Sequence, residues 1–235
     1  MPLPQNFRHS NVPTRAVNDW LFCIMYIPRS YTETETVVLH EFITANPFAA
    51  LITANDGLFA IHLPLVLRPD VGTLGTLEGH VARANEHHKR VTSPSDALVI
   101  FSGPHAHVTP TWYPSKEEES GKVVPTWNYV AVHVYGTVRF VDDPDFLRAH
   151  LARLTETHET ARGSEWTTND PPPEFVTQQL RAIVGVEIEI TQLEGKWKMS
   201  QNRSEADIDG VVAGLRDSGN VQDSAVADVV AVRRR

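Results

Sequence analysis

The stretch Thr126–Asp143, TWNYVAVHVYGTVRFVDD, alternates apolar and polar residues: Val130, Val132 and Val134 fall on one face, Ala131, His133 and Tyr135 on the other. A period of two over that length predicts a strand with one buried side, and a strand this long must curl if the sheet around it is to avoid open edges. Upstream, the apolar runs of FAALITANDGLFAIHLPLVL flank Asn55-Asp56-Gly57, a hairpin signal. TLEGHVA follows Pro69-Asp70 as a third strand, and DALVIFSGPHAHVTPTWY reads as a long strand bent at Gly103-Pro104. VEIEITQLEGKWKM adds a strand with Val186, Ile188 and Ile190 on one face.

Helices are expected before, between and after these strands. TETETVVLHEFITANPF predicts a helix carrying Val38, Phe42 and Ile43 on one face and stopped at Asn46-Pro47. ANEHHKRVTS predicts a short helical turn. Asp143-Pro144 starts a helix bearing Leu147, Leu151 and Leu154, and PEFVTQQLRAIV predicts another, closed by Gly185. Ser204 is the expected N-cap of SEADIDGVVAGLRDSG, with Asp207 completing a capping box, and a further short helix is expected after Gly219. There is neither a regular βαβ alternation nor a GxGxxG motif, which disfavours a Rossmann sheet. The fold expected is α+β and mainly β: a small antiparallel barrel with helices packed outside.

A net charge of -8 argues against a surface that coats DNA, and no helix-turn-helix spacing is visible, so direct DNA binding is doubtful. The single cysteine, Cys23, permits no internal disulfide and suits a reducing cytoplasm. No apolar run approaches the roughly 18 residues of a membrane span. Residues 1–24, with their Pro, Asn and Arg and no apolar secretory core, are expected to form a poorly ordered extension. Residues 25–218 would be the domain and 219–235 a tail.

The densest polar cluster is KWKMSQNR, Lys196 to Arg203. Lys196 and Lys198 share one side of a strand and Trp197 takes the other. Ser200, Gln201 and Asn202 lead to a helix start whose free N–H groups favour an anion. The cluster is either an anion site or a solvated strand end with an ordinary cap. In GHVARAN, His80 lies on a strand, Arg83 near its end and Asn85 beyond, a weak phosphate-clamp pattern. His62, in FAIHLPL, is expected to be buried in an apolar strand, as a hydrogen-bonded core residue or a functional one. Trp112 in TWY, and Trp127 with Asn128 in PTWNY, line a planar ligand or plug a barrel end. His105 and His107 share a face with no clear third metal ligand, and His87-His88 reads as exposed helix.

Taken together, MYIPRSY, NPFAALIT, IHLPL, GHVARAN, VIFSGPHAHVTPTWY, GKVVPTWNYVAVHVYG, AIVGVEIEIT and EGKWKMSQNRSEAD resemble the PaiB family of FMN-binding negative transcriptional regulators, in order from about Met25 to Gly219. The resemblance implies an FMN-binding split β-barrel, antiparallel and Greek-key-like, forming a homodimer with flavin between subunits. It implies that Arg83 grips the FMN phosphate. Ala82 stands where a hydroxyl often sits in that fold, and Lys196, Lys198 and Ser200 would supply the rest of the clamp. A regulatory role is implied by resemblance alone. A flavin-dependent oxidoreductase acting on a nicotinamide or small molecule is the alternative, and a haem or small-molecule binder using His62, His80 or His105 a third.

Overall fold

The computed structural model describes residues 25–55, 57–118 and 120–233; the expected N-terminal extension lies outside them. One antiparallel sheet contains every strand among these residues. The short strand β1 (Thr32–Glu33) pairs with β8 (Ile183–Lys198). The remaining strands are β2 (Phe48–Thr53), β3 (Phe59–Pro64), β4 (Val66–Arg68), β5 (Thr76–Ala82), β6 (Ser95–Val108) and β7 (Thr126–Val141). Their order is β3-β2-β6-β7-β8-β5-β4.

The strands at the two ends of that order, β3 and β4, are consecutive in the chain and separated only by Leu65. One residue spans a few ångströms, so the sheet must bend back until its ends meet. The FAIHLPLVL run, a single apolar segment in sequence, is therefore two strands with a corner between them. At the seam β5 passes so close to the corner that a Cβ on Gly79 would lie 2.8 Å from Leu65 and 3.1 Å from Leu63. Any side chain there would push Leu65 aside and crowd the Pro64 carbonyl at 3.2 Å.

The inner face carries the alternation expected from sequence. Val130, Val132, Val134 and Val138 of β7 are buried, as are Val186, Ile188 and Ile190 of β8. Two bulges keep long strands in phase with the curved core. In β6 the register slips between Ser102 and His105, where Gly103-Pro104 predicted a bend. The buried set accordingly changes from Ala97, Val99 and Phe101 to Ala106 and Val108. A slip opposite Tyr135/Gly136 does the same for β8, so that Trp197 also points inward.

Helix α1 (Thr36–Ala45) buries Leu39 and Ile43, and its Phe42 meets Trp197 edge-on at 5.3 Å. The helical turn α2 (His87–Arg90) follows β5, and α3 (Ser115–Glu118) lies between β6 and β7. Helix α4 (Pro144–Thr160) is capped by Asp143 and α5 (Pro173–Leu180) follows it. The sequence pattern predicted α5 to run on through Ile183 and Val184. Those residues instead open β8, paired with Ala82 and Val81, because sheet pairing outweighs local propensity. Helix α6 (Glu205–Asp217) is capped by Ser204 as expected. Asp207 does not complete the capping box; its carboxylate accepts from the backbone N–H and hydroxyl of Ser115 at 3.1 and 2.7 Å. The expected tail contains α7 (Val221–Val232), whose Val226, Ala227 and Val230 are buried in the same core.

Candidate functional site

The residues singled out in sequence fall into two separate regions with opposite character. The first is the corner between β8 and α6. Lys196 is nearly buried; its ammonium donates to the Tyr26 carbonyl at 2.8 Å and lies 5.3 Å from the centre of the Tyr129 ring. Lys198 donates to the Trp127 carbonyl at 2.6 Å and to the Thr126 hydroxyl. Burial, then the nearby Lys196 and Arg203, push its pKa down. Ser200 holds the corner at φ +63° and is buried against Asn128, with hydroxyl–amide contacts of 3.0 and 3.2 Å. Gln201 bridges the backbone: its amide nitrogen donates to the Trp197 carbonyl at 2.6 Å and its oxygen accepts from Met199 N–H at 2.7 Å. Arg203 lies over the Tyr113 ring at 4.5 Å. Asn202 alone of the sequence-selected residues in this loop is exposed. The groups expected to face an anion mostly face one another, and the N–H of Asp207 in the first turn of α6 goes to the Ser204 cap.

The two tryptophans separate. Trp112 is wedged on α6, where a Cβ on Gly210 or Gly214 would collide with its backbone or its indole ring. It packs, partly buried, against the core. Trp127 is 54% exposed and lies against His105 and His107, at 6.1 and 5.9 Å between ring centres. Among the described residues no group of three or more His, Cys, Asp or Glu is placed to hold a metal ion.

The second region is the seam between β3 and β5. Among the described residues no ladder joins these strands, and a cavity of about 300 Å³ opens between them. Ile61, Leu63, Pro64, Val81 and Ile183 give it apolar walls; His62, His80 and Asn85 supply polar groups. Three of the residues selected in sequence thus converge. His62 is exposed on β3, contrary to the burial expected for it. Leu63 takes the inward position, so its neighbour faces out and stacks on Phe48 at 6.0 Å. Asn85 accepts from His87 N–H at 2.9 Å, which fixes its side chain. His87 is buried, unlike the exposed helix position expected, and its Nε2 meets the Thr53 hydroxyl at 2.8 Å.

Arg83 borders this region, but its guanidinium is committed. It forms a bidentate pair with Asp142 at 2.7 and 2.6 Å and donates to the carbonyls of Arg181 and Ile183 at 2.9 and 3.0 Å. The pair raises the Arg83 pKa and holds Asp142 below the ordinary carboxylate range. Arg83 pins the end of β5 to the start of β8 and to the end of β7.

Behind the cavity lies a set of residues that sequence reasoning missed. His80 Nδ1 is 3.0 Å from Nε2 of His150 on α4, which is wholly buried and stacked on Phe146. His150 Nδ1 lies 4.0 Å from the carboxylate of Glu78, which is gripped by Arg68 at 3.0 Å and Arg153 at 2.6 Å. The carboxylate does not hold a proton on His150: burial, then His80 and Arg153, drive the His150 pKa down to about 3. Burial also lowers that of His80. Both rings are neutral at pH 7. A signal for this set was present: His150 follows Leu147 by one helical turn, and Glu78 shares the β5 face of His80.

The cavity has room for a flat ring with a polar edge. Its apolar walls suit a flat ring and its three polar side chains suit the ring edge, while 300 Å³ is the lower limit for a complete small-molecule site.

Comparison with known proteins supplies the remaining observations. Residues 25–192 match the family described as "Putative FMN-binding domain". An uncharacterised protein of Emericella nidulans is 33% identical over 244 residues, covering 89% of this chain and 97% of its own. The protease synthase and sporulation protein PAI 2 of Bacillus subtilis is 31% identical over 207 residues, covering 88% and 96%. Among solved structures, the flavocytochrome Anf3 of Azotobacter vinelandii superposes with TM-score 0.56 at 14% identity, over 77% of each chain. An FAD and heme binding protein of Mycobacterium smegmatis gives 0.53 at 17% identity, over 76% of this chain and 79% of its own. These last two bear out the split-barrel fold.

Proposed function

Because this chain belongs to the FMN-binding domain family, and FMN is its cofactor, we propose that the flavin ring sits at the seam between β3 and β5. The cavity where His62, His80 and Asn85 converge on apolar walls carries this reading. When bound, the flavin supplies two-electron redox chemistry. The chain's own residues bind and shield it: Ile61, Leu63 and Val81 exclude water from the ring, and Asn85 and the two histidines hydrogen-bond its polar edge. Arg83 keeps the rim in place through Asp142. Because the cavity is small for a whole mononucleotide, its outer wall comes from a second copy of the chain, and the working form is a cytoplasmic homodimer.

The 31% identity to PAI 2 supports a regulatory role of PaiB type. The net charge of -8 favours regulation without tight direct binding to DNA. An oxidoreductase acting on a nicotinamide or small molecule is the second reading, supported by the open side of the cavity, where a substrate could approach the ring.

The test is an FMN titration followed by flavin fluorescence. Ala82→Phe, which fills the exposed side of the cavity, should weaken binding at least tenfold with circular dichroism unchanged. Full affinity in that variant places the flavin elsewhere. Light scattering on the same samples should give a dimer, and a monomer that binds FMN with full affinity defeats the shared wall. Oxidation of NADH or NADPH by the loaded protein decides between the two readings.

A further inference from the structure

The His80–His150–Glu78 set fixes more than the position of a ring. Each histidine is neutral, so each carries one ring proton, and the line of contacts forces the two choices to agree. Nδ1 of His150 lies 4.0 Å from the Glu78 carboxylate, too far for a hydrogen bond but close enough for the charge to favour N–H over a bare lone pair. With its proton on Nδ1, His150 presents Nε2 as an acceptor. His80, 3.0 Å away, must then donate from its own Nδ1. The remaining nitrogen of His80, Nε2, is left bare, on a residue that lines the cavity. The reverse assignment would aim a lone pair of His150 at the carboxylate. Arg68 pairs with Oε1 of Glu78 and Arg153 with Oε2, the oxygen nearest His150, and Phe146 flanks His150.

We propose that Glu78 and His150 are positioning residues that set His80 as a hydrogen-bond acceptor at Nε2, so that the cavity selects a ligand offering it a polarised N–H. On the flavin reading, on which this ligand assignment rests, that donor is the imide N–H of the isoalloxazine ring. The set orients; it does not store protons, because burial and Arg153 oppose a charged His150.

The experiment has two arms. In the first, long-range nitrogen–proton spectra of the histidine rings are recorded on the ligand-free protein near pH 7.5, with His80→Gln identifying the resonance. His80 should carry its proton on Nδ1. In His150→Phe, which keeps an aromatic ring against Phe146, that preference should relax toward a mixture or toward Nε2–H. A wild-type His80 protonated on Nε2 overturns the proposal. In the second arm, riboflavin is compared with its N3-methyl derivative. Methylation should cost about tenfold in affinity for the wild-type protein, the value of one hydrogen bond, and little in His80→Leu, which has no acceptor to lose. Equal binding of both flavins to the wild type overturns the ligand assignment. Failure of either flavin to bind, with His80 protonated on Nδ1, defeats the flavin reading and leaves the acceptor standing.

Discussion

The corner at Lys196–Arg203 and the seam at β3–β5 contain similar side chains, and they differ in where the hydrogen bonds go. At the corner, Asn128, Ser200 and Gln201 are satisfied within the chain, and both lysines donate to backbone carbonyls. At the seam, His62, His80 and Asn85 line a cavity, and among the described residues His80 and Asn85 each use one polar atom in a hydrogen bond and keep the other. A dense polar run in sequence therefore marks a place where the backbone turns sharply and needs partners, as readily as it marks a ligand site. Capacity left unused after the fold has formed is the better sign of binding.

The sharpest test of this contrast is pH. The His150 pKa falls from 6.5 to about 3 on folding, so the unfolded chain takes up a proton that the folded chain refuses. Stability is unaffected above about pH 6.5 and should fall as pH drops toward 3, at up to roughly 1.4 kcal/mol per unit. Urea melts from pH 7.5 to 5 should show a steeper loss for the wild type than for His150→Phe. Equal slopes would remove the neutral buried histidine from the region behind the seam.

Next in size is Asn128→Ala. It strands the buried Ser200 hydroxyl at the corner, which should cost about 1–3 kcal/mol in a denaturant melt and leave FMN affinity unchanged. A stably folded variant that no longer binds flavin would reverse the roles of the two regions. Arg83→Ala should have the smallest effect. Its ion pair with Asp142 is open to solvent and screened, so a modest drop in melting temperature and near-normal FMN binding are expected. Loss of flavin binding would mean that Asp142 releases the guanidinium to the phosphate.

Much of the fold was legible because its determinants are local. The period of two in Val130–Val134 and Val186–Ile190, the bend at Gly103-Pro104 and the Ser204 cap all depend on neighbours within a few residues. The site was less legible because its determinants are distant. The partner of Arg83 is Asp142, brought beside it only by the pairing of β5, β8 and β7. The exposure of His62 follows from the pleat of β3, which turns Leu63 inward and His62 outward, and a run of apolar residues does not reveal that phase. His150 reads as one more residue on an amphipathic helix until α4 is laid against β5.

The single residue between β3 and β5's neighbour β4 also governs how the protein tolerates change. Leu65 works as a clasp on a loop of sheet. Insertions in most surface turns leave a barrel's circumference alone, but a longer linker here would let the clasp open. It would release two strand edges at once, each with unpaired amides ready to join another chain. Growth in chain length should therefore be accepted at the outer turns and refused at this one, and a library of short insertions selected for solubility would trace the seam as a gap.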